Sequence, residues 1–378
     1  MAVLLETWGW FHVYRPFDGF MPSWRYHHMR KPNSVIGPRA FFSFNPRLVK
    51  LYPETARWHY NAQGWLHPED ITSPKPPNTY RIFYLGDSFT EGQTLEEDSM
   101  PRVVGARLAE LRGDSPRLEV VNAGTVSYSP TLYFLVIRNK VIDFDPDVVV
   151  INVDMTDDLD EWKCSKRTIL DENGDPLASP FVEAHMAAYV DTASGTIRSS
   201  ILTKALLFLY TKSYFASYLR FIGLTLSGDL DAAAKAPPAE TLYSRWSWCH
   251  DEWDERTEKV VAGMFETLRR LVTYCRRHNV RVMMTAVPYC RHYHTHDDGD
   301  EPFRFSVRPH YELEKLCREL GVPYLNSYEA LMPFVEEATA DQFYLQDDIH
   351  FNAEGNRLWA EQQVQFLMDP SHDLLPKD

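Results

Sequence analysis

The sequence predicts an α/β fold, a three-layer sandwich around a central, mainly parallel five-stranded sheet. Two observations carry that reading. Short apolar runs alternate with segments of helical periodicity, as strands joined by helical crossovers do. Three residues capable of chemistry, Ser88, Gly124 and Asp157, each fall just past the end of an apolar run, where open parallel sheets bind their ligands.

In chain order, residues 81–85 form the first strand. Residues 103–111 carry apolar side chains at helical spacing and stop at Gly113, a C-cap. Residues 118–122 form the second strand and 131–142 the second helix, closed by the turn residues Asp145 and Pro146. The run 148–153 is apolar but for Asn152, as suits a strand buried on both faces. A long helix over 254–278 leads to a fourth strand at 280–287. A helix over 311–320, ending at Gly321, leads to a fifth at 323–325, and 354–368 is a final amphipathic helix.

The segment Gly86-Asp87-Ser88-Phe89-Thr90-Glu91-Gly92 places Ser88 where the first strand turns into a helix. A serine hydroxyl is a weak nucleophile until a base takes its proton, so it calls for a histidine oriented by a carboxylate. Near the C-terminus Asp347-Asp348-Ile349-His350 supplies both. The glycine pattern of an α/β-hydrolase elbow, a phosphate loop and a dinucleotide fingerprint are all missing from the Ser88 segment.

A serine block after an early strand and a late Asp-x-x-His, continued as Phe351-Asn352-Ala353-Glu354-Gly355, resemble the SGNH, or GDSL, hydrolase superfamily. The matching blocks span roughly half of the chain, within 80–160 and 254–368. The resemblance implies a flavodoxin-like sandwich and an acyl-enzyme on Ser88. His350 would be the general base, and Asp347, by the family spacing, the carboxylate that orients it; Asp348 is the weaker candidate. It assigns the oxyanion hole to Ser88, Gly124 of Asn122-Ala123-Gly124-Thr125, and the residue at position 157. A glycine after a strand also serves a turn with no further role. An N-cap role for Asp348 or Asn352 is equally compatible with the last block.

Position 157 departs from the family pattern Gly-x-Asn-Asp, because the matching residues are Met155-Thr156-Asp157-Asp158. An ionised carboxylate cannot donate to an oxyanion, and losing one donor typically costs about 10²–10³ in turnover. Three readings stay open. Asp157 is a neutral acid in a desolvated pocket, or it has left the oxyanion hole to bind a cationic or hydroxylated substrate, or the protein is a weak or lost catalyst. Asp87, Asp158, His292 and Trp246 are the candidate substrate contacts. The acids Asp154, Asp157, Asp158, Asp160 and Glu161, and the histidines of 292–296, read as a solvated loop and a flexible lid rather than as metal sites.

Residues 1–78 read as an N-terminal extension packed on the core, with Asn61 and Gly64 in an Asn-x-x-Gly strap. Residues 79–370 read as the hydrolase-like domain, carrying a helical insertion at about 162–253. Within the insertion, 201–226 is apolar but broken by Lys204, Lys212 and Arg220, which suits a cover over the site better than a membrane surface. No run approaches the ~20 apolar residues of a spanning helix.

A net charge of −14 over 378 residues argues against nucleic acid and anionic membranes as partners. Five cysteines without metal spacing read as free buried thiols, which suits the cytoplasm; a periplasmic or secreted location follows only if a leader was removed. The expected activity is hydrolysis of a carboxylic ester, the partner a small-molecule or glycan ester, with no cofactor and with a homo-oligomer left open. Acyl transfer by the same Ser-His-Asp set, and a non-catalytic binding protein on the same fold, are the alternatives.

Overall fold

The computed structural model describes residues 61, 63, 65–113, 116–126, 128–166, 168–179, 246–293, 304–335, 337–345 and 348–376. The chain divides into two compact units, Met1–Asp70 with Ala178–Ser244, and Ile71–Leu177 with Arg245–Asp378. Of the first, the described residues include a turn in which Asn61 Oδ1 accepts the Trp65 N–H and Asn61 Nδ2 donates to Glu69 O, both at 3.0 Å. Most of the N-terminal extension and of the 162–253 insertion, including 201–226 and Tyr243, lies outside the described residues.

The second unit is built on a parallel sheet of five strands. They are β1 (Thr79–Leu85), β2 (Arg117–Asn122), β3 (Val148–Val153), β6 (Arg281–Ala286) and β7 (Tyr324–Leu325), in the spatial order β2-β1-β3-β6-β7. A two-stranded pair, β4 (Ile169–Leu170) and β5 (Pro176–Ala178), stands apart. The helices are α1 (Ser88–Glu91), α2 (Met100–Arg112), α3 (Pro130–Asn139), α4 (Asp157–Ser165), α5 (Glu255–Arg277), α6 (Arg308–Leu320), α7 (Ser327–Leu331) and α8 (Ala353–Met368). Helix α2 packs with α8 in one layer, and α5 packs with α3, α4 and α6 in another, so the sheet is covered on both faces. That is the predicted three-layer arrangement.

The central strands explain their own composition. β3 is buried along its whole length between β1 and β6, so every position of Val148–Val153 faces protein, and six consecutive residues without a charge are the result. Helix α5 starts where Asp254 Oδ1 accepts the Thr257 N–H at 2.7 Å, and α8 starts where Asn352 Oδ1 accepts from Glu354 and Gly355 at 3.0 Å. The expected second helix is split: α3 ends at Asn139, and Val141–Phe144 continues as a 3₁₀ turn before Asp145 turns left-handed.

One charge inside the sheet stands out. Arg81 in β1 is fully buried and donates to Glu119, its register partner in β2, and to the carbonyls of Phe144 at 2.5 Å and Thr72 at 3.1 Å. Removing one member of a buried pair leaves the other uncompensated. Arg81→Ala is therefore expected to lower the unfolding free energy by about 3–5 kcal/mol, measured by urea titration; a loss well under 1 kcal/mol would show the pair to be dispensable.

Candidate active site

The β1–α1 turn is built by close approach. A side chain at Gly86 would place its Cβ 2.1 Å from Thr90 Oγ1 and 3.0 Å from Asn152 O, and one at Gly124 would lie 2.4 Å from the Glu91 backbone nitrogen. Both glycines let the ends of β1 and β2 touch α1, and only residues without a Cβ allow it. Asn152 of β3 donates to Thr90 Oγ1 at 2.8 Å, and Asn122 of β2 donates to Glu91 O at 3.1 Å, so neighbouring strands hold α1 from two sides. Asp87 caps the helix, its Oδ1 accepting the Phe89 N–H at 2.9 Å.

Ser88 opens α1, and its Oγ lies 2.7 Å from His350 Nε2, although 262 residues separate them. The other imidazole nitrogen, Nδ1, lies 2.5 Å from Asp348 Oδ1, which also accepts the His350 backbone N–H at 2.9 Å. Phe89 sits 4.7 Å from the His350 ring and 4.8 Å from Tyr289, between ring centroids, and Phe351 meets Phe89 edge-on. Ser88 and His350 are both under a tenth exposed. The structure thus brings together two of the three expected catalytic residues.

Among the described residues, the carboxylate placed on His350 is Asp348, the candidate that the family spacing ranked second; Asp347 lies outside the described residues. The physical reason is local. The Asp348 N–H bonds Leu345 O at 3.1 Å, and the side chain then folds forward onto both the backbone and the ring of the residue two positions on.

Two of the three residues expected at the oxyanion hole are engaged elsewhere. The Gly124 N–H donates to Asn122 Oδ1 at 3.0 Å. Asp157, fully buried at the start of α4, lies 3.1 Å from the Tyr133 hydroxyl and accepts the Asp154 N–H at 3.1 Å. Burial first, then the neighbouring carboxyls of Asp154 and Asp87, raise its pKa well above the usual carboxylate range. Of the three readings of Asp157, a neutral acid in a desolvated setting is the one this environment favours.

Asp157 belongs to a cluster of buried acids that the sequence suggested as a solvated loop. Asp154 is fully buried and accepts the Thr156 N–H at 2.8 Å, the Thr156 hydroxyl at 2.6 Å, and the Tyr289 hydroxyl at 2.9 and 2.8 Å on its two oxygens. Asp158 and Glu161 are buried too, Glu161 accepting from the hydroxyls of Ser129, Thr131 and Thr267. The reason is that 157–165 is a helix packed under α5, not a loop. Among the described residues, no group of three His, Cys, Asp or Glu side chains is arranged to hold a metal ion.

The remaining candidate substrate contacts are in packed positions. Asp87 touches Ser88 rather than an open surface, its Oδ2 lying 3.0 Å from Oγ. Trp246 packs edge-on to Tyr289 and against Phe305. Trp248 is fully buried and donates to Met155 O at 2.8 Å, pinning the loop after β3. Arg308 lies over the Trp253 ring. His292, expected in a lid, is buried in a 3₁₀ turn with its Nδ1 accepting the Tyr289 N–H at 2.8 Å; residues 294–298 lie outside the described part. His310 packs against it, ring centroids 4.8 Å apart, and is fully buried.

This histidine pair makes the fold acid-sensitive. Burial pushes His292 down from 6.5 to about 3, and burial followed by the charge of His292 pushes His310 well below its ordinary value. Unfolded, both take a proton as the pH falls through about 6.5, whereas folded they stay neutral to much lower pH, so stability is lost on acidification below about 6.5. Buried carboxyls act in the opposite direction, so the comparison is with His310→Phe. The stability difference between wild type and this variant is expected to shift by about 2 kcal/mol against wild type from pH 7 to pH 5, read by urea unfolding; a constant difference would contradict it.

Tyr289 and Tyr133 are site residues that the motif reading did not name, while Asp348 stood there as the weaker candidate and Asp154 only as one of a run of acids. Tyr289 lies three residues past the end of β6, so the rule that ligands gather beyond strand ends was the one signal for it.

No family model matches this chain, and neither does any curated protein. Solved structures do. The solved structures it resembles include GDSL-like lipases and other esterases. One is a GDSL-like lipase from Parabacteroides merdae, 12% identical, TM-score 0.43, with 81% of this chain and 99% of that one covered. A lipase/acylhydrolase from Enterococcus faecalis is 14% identical, TM-score 0.41, with coverages of 79% and 99%. The esterase EstA from Pseudoalteromonas sp., in a structure inhibited by monoethylphosphonate, is 10% identical, TM-score 0.39, with coverages of 76% and 96%. Likeness at this level concerns the fold, and the chemistry rests on the residues described above.

Proposed function

We propose that this chain is a GDSL-type serine esterase that cleaves an O-acyl ester of a sugar, lipid or small metabolite through an acyl-enzyme on Ser88. The observation that carries the reading is the aligned set Ser88 Oγ, His350 and Asp348, joined at 2.7 and 2.5 Å. With Asp348 holding the proton on Nδ1, Nε2 is the acceptor that takes the Ser88 proton as Oγ attacks the acyl carbon. The same nitrogen then gives that proton to the leaving alcohol. Water, activated in turn by Nε2, releases the acid and restores Ser88.

The test is turnover of p-nitrophenyl acetate and butyrate by wild type beside Ser88→Ala. Ser88-dependent release of p-nitrophenol supports the reading, and equal rates for the two proteins reject it.

Acyl transfer to an alcohol is a second reading, favoured by the low exposure of Ser88 and His350 and by the aromatic residues Phe89, Tyr289 and Phe351 around them. A site that admits little water lets an acceptor alcohol compete for the acyl group. Product analysis with added sugar or glycerol acceptors separates the two: esters of the acceptor mean transfer, free acid alone means hydrolysis. A purely binding role has no use for three groups aligned in this order.

A further inference from the structure

We propose that Asp87 is a further catalytic residue, a neutral carboxylic acid whose Oδ2–H donates to Ser88 Oγ while Ser88 donates to His350. This inference rests on the serine-esterase reading above.

The argument is one of counting protons. Ser88 Oγ has one hydrogen and two neighbours at hydrogen-bond distance, His350 Nε2 at 2.7 Å and Asp87 Oδ2 at 3.0 Å. Asp348 on Nδ1 fixes the tautomer that leaves Nε2 bare, so the shorter contact takes the serine hydrogen. The contact to Asp87 then holds no hydrogen unless Asp87 supplies it, and two oxygen lone pairs would otherwise face each other in a buried site. A neutral Asp87 resolves the geometry: Oδ1, the carbonyl oxygen, accepts the Phe89 N–H at 2.9 Å, and Oδ2, the hydroxyl, donates.

The surroundings agree. Asp87 is 4% exposed, and no cation among the described residues pairs with it. The ionisable groups around it are Asp154 and Asp157 from beyond β3, Tyr133 from α3, and His350 with Asp348 from the loop before α8. Asp154 accepts the Thr156 N–H and the Tyr289 hydroxyl. Burial first, and then the Asp154 carboxyl, raise the Asp87 pKa well above its ordinary range, whereas the hydrogen bonds to Phe89 and Ser88 work the other way.

Asp87 keeps its proton through the cycle. In acylation, Oγ bonds the acyl carbon, the carbonyl electron pair moves to oxygen, and the serine proton passes to Nε2. When the deacylation intermediate collapses, the pair of the C–Oγ bond returns to Oγ and the proton returns from Nε2. The Asp87 hydrogen bond stabilises Oγ at the moment when it carries that charge, and it holds the serine rotamer between turnovers.

The experiment is the pH dependence of kcat and KM on p-nitrophenyl acetate for wild type, Asp87→Asn and Asp87→Ala. Asparagine keeps the helix cap and offers an N–H in place of the O–H. Wild type is expected to lose kcat on the basic side as Asp87 ionises. Asp87→Asn should stay within about tenfold of the wild-type maximum with that basic limb gone, and Asp87→Ala should lose about 10²-fold or more in kcat with KM little changed. An Asp87→Asn enzyme as poor as Asp87→Ala, or one that keeps the wild-type basic limb, overturns the proposal. A lost cap alone would lower the melting temperature of Asp87→Ala without creating or removing a limb.

A second readout does not depend on ester turnover. The infrared difference spectrum between wild type and Asp87→Asn at neutral pH should show the carbonyl band of a protonated carboxylic acid. Its absence overturns the proposal even if Ser88 proves to be an active nucleophile; its presence in a protein that hydrolyses no ester would sustain the neutral Asp87 and reject the esterase reading.

Discussion

Replacing Ser88 by alanine is expected to lower kcat on p-nitrophenyl esters by at least about 10⁴-fold, with the melting temperature held within a few degrees. The size follows from the position of the hydroxyl. Ser88 Oγ is the atom to which His350 Nε2 is aimed, at 2.7 Å, and no other serine or threonine hydroxyl among the described residues is bonded to that nitrogen. Deleting one oxygen from the first residue of a four-residue helix leaves the Asp87 cap on Phe89, the Asn152–Thr90 bond and the close glycine contacts in place. Chemistry should therefore disappear without the fold. A Ser88→Ala protein that keeps more than a tenth of wild-type turnover would assign the activity to another group.

Replacing Asp348 by asparagine is expected to cost up to about 10⁴-fold in kcat, and replacing Asp347 much less. Asparagine at 348 preserves size but presents an amide that no longer requires the proton on Nδ1. The imidazole can then carry it on Nε2, where it blocks the serine. Asp348 also accepts the His350 backbone N–H, so the ring and the chain that carries it are held by one oxygen. Equal losses in the two variants would mean that both carboxyls share the task. A large loss at Asp347 alone would return the role to the residue that the motif spacing suggests.

Most of the sheet was legible because its signals are local. β3 reads as a strand from six buried residues in a row, all apolar but Asn152, and α5 as a helix from its stripe of apolar residues between Asp254 and His278. Ser88 and His350 were legible because each lies in a block whose neighbours serve the same turn, Gly86 at one end and Asn352 at the other.

What escaped was long-range. Nothing near Asp154 announces that its partner is Tyr289, 135 residues away, and nothing in the local sequence says that the Asp348 carboxyl meets the His350 ring. The acids of 154–161 read as solvated because charge usually is; their burial comes from α4 packing beneath α5, a contact that no local pattern encodes. His292 differs from its expected place at the substrate for the same reason, since it is packed against His310, 18 residues on.

The most direct test of the account is covalent labelling of the wild-type chain with a serine-reactive fluorophosphonate, followed by mass mapping of the modified peptide. The prediction is one label per chain, on Ser88, formed far more slowly in His350→Ala. A label on a different residue, or none in a folded protein that still hydrolyses ester, would contradict the assignment of Ser88 as the nucleophile.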